Sequence, residues 1–343
     1  MTKVTPTSDR KKDHIRINLE QDTRSGLTTN LENYHFKHNA VPELNLEEIA
    51  TSTTFLGKPL TCPLLISSMT GGTPRAAEIN TALAEAAQKN GIAIGLGSQR
   101  AAIEDPELAD TYRIRETAPD IVILANLGAV QLNYGYGIDA CRRAVEMVEA
   151  DALILHLNAL QEALQPNGDT RFAGLLKRIE EICRNLEVPV IAKEVGWGIS
   201  AEAARQLVDA GVHAIDVAGA GGTSWSQVEL HRAETKAQET QAAIFRTWGI
   251  PTAEAVIQVH EALPAVPLIA SGGLRSGIDI AKCVAIGADL CGIAGPFLKA
   301  ATQSAERVSE LILQYANELR VCMFAAGAAN LHALQDKILR IES

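Results

Sequence analysis

Aromatic side chains are scarce in this sequence: Phe, Trp and Tyr supply 4% of 343 residues, so alanine, leucine, isoleucine and valine must fill any core. Paired cysteines are missing as well. Cys62, Cys141, Cys183, Cys283, Cys291 and Cys322 are scattered and form no CxxC. That argues against a zinc or iron–sulfur site and against a disulfide scaffold, and it suits a reducing cytoplasm. Positive charge falls short, with 31 Lys+Arg against 41 Asp+Glu and a net charge of −10. A general nucleic-acid binder needs a basic face, so no nucleic-acid partner is expected. An anionic ligand would have to be held by a local cluster of cations. No apolar run is long enough to cross a bilayer, and residues 1–12 are polar and charged rather than a secretory signal. The expected setting is the cytoplasm, with no membrane partner. No GxGxxG follows a first strand, so a Rossmann dinucleotide site is not expected either.

What is present is a chain 47% hydrophobic and 21% charged, enough for one large core. Eight short, nearly continuous apolar runs read as parallel strands covered on both faces: 63–67, 92–95, 121–125, 152–158, 188–193, 213–217, 267–271 and 289–293. Between them, helical spacing is expected over 74–89, 106–117, 138–149, 172–185, 200–210, 252–263 and 277–286. Pro74, Pro106 and Ser200 are helix-start signals, while Gly91, Gly211 and Gly287 close helices into the next strand. Eight such units predict an α/β protein, a (β/α)₈ TIM barrel, with a doubly wound open sheet as the runner-up. Residues 1–60 read as an irregular N-terminal arm and 61–343 as the barrel, a single domain overall. The long polar insertion after strand six, "TSWSQVELHRAETKAQETQAAIFRTWGIP", reads as a lid or assembly element.

In such a barrel the chemistry stands at the C-terminal strand ends. After strands seven and eight come "SGGLRSG" and "IAGPF", where Gly272, Gly273, Ala294 and Gly295 would donate backbone N–H groups to a phosphate, with Arg275 nearby. Strand five ends in Lys193, a cation suited to the side of a reduced flavin ring. A Schiff-base lysine or an ion pair with Glu194 are the competing readings. Asn126 ends strand three, Ser68, Met69 and Thr70 end strand one, and Ser98 follows strand two. Phosphate on one side and a polar ring cradle on the other suggest FMN. Strand four contributes His156 and Asn158 on one face, then Gln161 and Glu162, the last a candidate Mg²⁺ ligand. Arg10, Lys11 and Arg100 are the cations that would clamp a diphosphate if the arm folds over the mouth. After strand six, Thr223 would reach the cofactor and Trp225 would offer a π face to a developing cation.

Taken in order, "RKKDH", "MTGG", "GLGSQR", "LHLNALQE", "KEVGWG", "GAGGTSW", "SGGLRSG" and "GIAGPFL" resemble the type 2 isopentenyl-diphosphate isomerases, FMN-dependent (β/α)₈ proteins. The resemblance implies interconversion of isopentenyl and dimethylallyl diphosphate in isoprenoid biosynthesis. It implies reduced FMN as acid/base, with Mg²⁺, with NADPH to keep the flavin reduced, and with no net redox change. It maps FMN contacts to Ser68, Met69, Thr70, Ser98, Asn126, Lys193, Thr223, Gly272, Gly273, Arg275, Ala294 and Gly295. Substrate contacts map to Arg10, Lys11, His14, Ser98, Gln99, Arg100 and Gln161, with Glu162 on the metal. Gln161, His156, Lys193 and Trp225 are the catalytic candidates, and a homotetramer or homo-octamer is implied. The alternative is an FMN-dependent oxidoreductase of the hydroxy-acid oxidase or IMP dehydrogenase type, for which His231 is the available base. On this reading Gly273→Val yields a folded but colourless protein, checked by the flavin absorbance of the purified variant.

Overall fold

The computed structural model describes residues 7–340 and, within them, all side chains but those of residues 7–10 and 12. Eight parallel strands form a closed barrel: β1 (Leu64–Ile66), β2 (Ala93–Gly95), β3 (Ile123–Gly128), β4 (Ala152–Leu157), β5 (Val190–Glu194), β6 (Ala214–Asp216), β7 (Leu268–Ser271) and β8 (Leu290–Ile293). Each pairs with the next in sequence, and β8 pairs back onto β1. The open sheet is thereby excluded. Each expected strand is found, with ends shifted by three residues at most.

The helices in chain order are α1 (Thr7–Glu20), α2 (Pro74–Asn90), α3 (Arg100–Glu104), α4 (Ile138–Val148), α5 (Ala159–Leu164), α6 (Leu175–Asn185) and α7 (Ala201–Asp209). After them come α8 (Trp225–Leu230), α9 (Lys236–Ile244), α10 (Thr252–Ala262), α11 (Gly277–Ala285), α12 (Gly295–Ala301) and α13 (Ala305–Ala326). Local chemistry sets their ends. In α2 the Thr73 side chain accepts from Ala76 N–H, Pro74 opens the first turn, and Gly91 at φ 63° closes the last. Among the described residues no helix is long and apolar enough to cross a membrane.

Three expectations are corrected. No single helix covers 106–117: the chain forms α3, then a 3₁₀ turn Pro106–Thr111 in which the Asp105 side chain caps the Glu107 N–H. Pro106 has no N–H to continue a helix from α3. Helix α6 begins at Leu175 rather than 172, because Gly174 takes a left-handed φ of 74°. Finally, residues 1–60 are not irregular throughout, since α1 buries Ile17 to 1% exposure and Tyr34–Phe36 pairs antiparallel with Ile338–Arg340. The insertion after β6 folds as α8 and α9, with α8 packed on α1 and α5.

Two apolar clusters hold the barrel together. The larger lies between strands and helices. The smaller fills the barrel interior, with Leu65, Leu124, Ile154, Ile191, Ile269 and Leu290 among alanines 93, 152 and 214. Phe55 and Leu60, from the hairpin Thr53–Phe55/Lys58–Leu60 that leads into β1, join this inner cluster at the N-terminal end. The interior is therefore packed and plugged at one end, which leaves the C-terminal end as the place for a ligand. Phe55→Ala should lower stability by about 3–5 kcal/mol through the cavity it leaves. Denaturant unfolding followed by circular dichroism checks this, and a loss under about 1 kcal/mol would deny the hairpin its role as a plug.

Candidate active site

One cavity opens at the C-terminal strand ends, and most of the expected residues meet there. Ser68, Met69, Thr70, Ser98, Asn126, Lys193, Thr223, Gly272, Gly273, Arg275, Ala294 and Gly295 line it, as do His156, Gln161, Glu162 and Trp225. From α1 come Lys11 and His14, so the arm lies over the barrel of its own chain. Arg10 falls within α1, but its side chain lies outside the described ones.

The wall at β7 and β8 is made of backbone. Gly272 has φ 102°, and a Cβ there would sit 2.0 Å from the Gly219 carbonyl oxygen. Gly273 has φ 83°, and a Cβ would meet Gly221 and Thr29 at 2.6 Å. Both must be glycine because the chain after β6 packs against them. The expectation that Gly273→Val leaves the fold intact is thus corrected: that change strains the barrel rim itself. Gly295 differs, since a Cβ there meets nothing within 4 Å. Opposite, the hydroxyls of Ser67 and Ser68 are buried without a hydrogen-bond partner. Gly292 and Gly95 leave room for them, for added Cβ atoms would approach Ser67 Oγ to 2.4 Å and Ser68 Oγ to 2.7 Å.

Buried charge marks the site most sharply. Among the described residues four charged side chains are buried, Glu162, Lys193, Asp216 and Glu229, and all stand at or just behind this mouth. Lys193 Nζ donates to the Glu194 carbonyl oxygen at 2.6 Å. The Glu194 carboxylate turns to the backbone instead, accepting from Val195, Gly196 and Trp197 N–H at 2.7, 2.7 and 2.5 Å. Glu194 as a residue is only half-buried, but its carboxyl is desolvated, which pushes it up to about 7 against those amides and Lys193. Asp216 is the register partner of Lys193 across β5 and β6. Its Oδ1 accepts from Ser271 Oγ at 2.6 Å, its Oδ2 has no partner, and burial raises its pKa while Lys193 pulls it down.

Glu162 accepts from Asn158 Nδ2 at 2.9 Å on one oxygen, and from Gln165 Nε2 at 3.1 Å and Asp169 N–H at 2.8 Å on the other. Gln161 Nε2 donates to Glu229 Oε1 at 3.2 Å. His14 Nε2 stands 3.6 Å from the same Glu229 oxygen, and its ring meets Trp225 edge-on at 4.9 Å. Although burial pulls the Glu229 carboxyl upward, the His14 contact and nearby Arg232 hold it below the ordinary range. Lys11 Nζ donates to the Ser98 carbonyl at 2.6 Å and bonds the buried Tyr112 hydroxyl. His156 Nδ1 and Asn126 Oδ1 are 2.8 Å apart.

Two candidates fall outside. Gln99, expected on the substrate, is fully buried behind the wall, donating to the Ala144 carbonyl at 2.7 Å and accepting from Asn126 N–H at 2.9 Å. It ties β3 to α4, and Ser98 before it takes the mouth-facing position. His231 is exposed at the end of α8. Conversely, Asp216, Glu229 and Asp169 escaped sequence reasoning. Asp216 ends β6 and was open to the strand-end rule that found Lys193. Glu229 and Asp169 sit in an insertion helix and a long loop, where no local pattern marks them.

Known proteins resemble this chain in sequence and in fold. Residues 159–341 match the FMN-dependent dehydrogenase family. An isopentenyl-diphosphate delta-isomerase of Nostoc sp. is 54% identical over 330 residues, covering 96% of this chain and 94% of that one. Its Rickettsia bellii counterpart is 53% identical over 332 residues, covering 97% of both chains. Among solved structures, a mandelate oxidase variant with benzoyl-formic acid superposes with a TM-score of 0.68 at 19% identity, covering 97% of each chain, a likeness of fold alone. On identity over half of nearly the whole length, the chain belongs to the FMN-dependent isopentenyl-diphosphate delta-isomerase family.

Proposed function

We propose that this protein interconverts isopentenyl and dimethylallyl diphosphate in the cavity at the barrel mouth, with Mg²⁺ on Glu162 and NADPH as the reductant that keeps the flavin reduced. The observation that carries the reading is the gathering of the four buried charges around one mouth. One half of that mouth suits FMN: the unpartnered hydroxyls of Ser67 and Ser68, the open space at Gly295, and the Lys193 ammonium fit a flat polar ring with a phosphate tail. When bound and reduced, FMN supplies a centre that exchanges protons without net redox change.

The chain's own residues do the rest. An alkene is a poor base, so proton transfer to it needs close approach, exclusion of water and stabilisation of a tertiary cation. Helix α1 covers the mouth and excludes water, held by Lys11 on the Ser98 carbonyl. Trp225 offers its π face, and His14 fixes that ring by its edge contact. Glu229 orients the Gln161 amide and keeps a negative charge behind it. Lys193 provides the positive charge beside the flavin, with the Asp216 carboxyl in register with it one strand away.

Lys11, His14, Ser98 and Arg100 would receive the diphosphate. Glu162 fits Mg²⁺, a hard cation satisfied by one carboxylate, waters and phosphate oxygens. Among the described residues no group of three His, Cys, Asp or Glu could hold a metal without such help. The oxidoreductase alternative shares the family model and the fold, but its candidate base His231 is exposed and does not line the cavity.

Two outcomes are expected. Gly295→Val projects into open space without backbone strain, so it should purify folded and colourless; full flavin absorbance would refute the phosphate assignment. With wild-type protein and NADPH in catalytic amounts, each NADPH should support many turnovers of isopentenyl diphosphate. Consumption of one reductant or acceptor per product would overturn the isomerase reading in favour of an oxidoreductase.

A further inference from the structure

The cation that should grip the diphosphate is already matched by anions. Arg100 Nε bonds Glu104 Oε1 at 2.7 Å and Nη1 bonds Asp169 Oδ2 at 2.6 Å, with 22% of its side chain exposed. Neither bond uses Nη2. Gln131 Nε2 also donates to Asp169 Oδ2, at 3.0 Å, so that carboxylate is fixed from two sides. The backbone N–H of the same Asp169 donates to Glu162 Oε2 at 2.8 Å. This loop is folded hard onto α5, for a Cβ at Gly168 would lie 1.9 Å from the Glu162 carbonyl oxygen. Asp169 is therefore one residue touching both ends of the anion site, by side chain at Arg100 and by backbone at Glu162.

We propose that Asp169 is a positioning residue that makes diphosphate binding depend on a divalent cation. The inference rests on the diphosphate reading of this mouth. An incoming diphosphate meets an arginine neutralised by Asp169 and Glu104, next to the Glu162 carboxylate. At 19% exposure the Asp169 charge is only partly screened by water. A metal-free anion must displace Asp169 from Arg100 or be repelled by the carboxylates. A divalent cation on Glu162 offsets the same charges and lets Arg100 keep its hold on Asp169 while Nη2 turns to the substrate. Glu104 is less suited to this part, being more exposed at 37% and shared with the Tyr136 hydroxyl.

The test uses the flavin-loaded enzyme and inorganic pyrophosphate, with affinity read by titration calorimetry in chelator and across a Mg²⁺ series. D169N keeps the backbone N–H on Glu162 and removes only the charge. It should bind metal-free pyrophosphate roughly tenfold more tightly than wild type, the scale of one released charge-assisted hydrogen bond. Its Mg²⁺ enhancement should shrink and the Mg²⁺ midpoint rise, while D169E restores wild-type behaviour. D169S is measured alongside, and either neutral variant that retains flavin decides the question. Unchanged metal-free affinity, or weaker binding both with and without Mg²⁺, overturns the proposal. If wild type binds pyrophosphate under neither condition, the diphosphate reading itself fails, and that result needs no variant.

Discussion

Burying charge at the mouth of a closed barrel is the constraint on which the rest of this structure depends. An isolated ion in a low-dielectric site is costly unless it is paired and hydrogen-bonded. Each of the four buried charges meets that demand differently. Lys193 shares its layer with Asp216, Glu162 is held by two side-chain amides and a backbone N–H, and Glu229 draws on Arg232, Gln161 and His14. The partners come from separated parts of the chain. Folding the barrel, docking α1 and closing the insertion are consequently one problem: each brings a partner that another element's charge requires.

The same constraint explains the additions to the barrel. A bare (β/α)₈ scaffold would leave Gln161 and Glu162 facing water. Helix α8 carries Glu229 to Gln161, and α1 carries Lys11 and His14 over the opening. Tyr112, fully buried beneath Gly71 and Gly72, anchors that cover through its contact with Lys11. The hairpin holding Phe55 acts at the far end, where it packs into the apolar interior and leaves the C-terminal mouth for the ligand. Stability and chemistry are thus divided between the two ends of the strands, as this fold commonly arranges them.

Much of this was legible in the residues themselves. Continuous apolar runs marked every strand because parallel strands are covered on both faces, and strand-end position alone pointed to Lys193, Asn126 and the glycines of β7 and β8. What stayed hidden depends on contacts between distant segments. Gln99 lies next to a mouth residue yet turns outward to bridge β3 and α4, and no local pattern distinguishes the two directions. Glu229 lies in a polar insertion indistinguishable from a solvated helix until α1 and α5 are packed on it. Gly273 read as a site of ligand approach, whereas its positive φ and close neighbours make it a structural necessity as well.

The central claim is that this mouth moves a double bond by adding a proton at one carbon and removing one from another, without consuming reductant. The most direct measurement is isomerisation in D₂O by photoreduced, NADPH-free enzyme with Mg²⁺, followed by nuclear magnetic resonance of the product. The account predicts deuterium in the methyl group newly formed in dimethylallyl diphosphate, accumulating over many turnovers per flavin. Product formed with no solvent deuterium, or one turnover per reduced flavin, would contradict it.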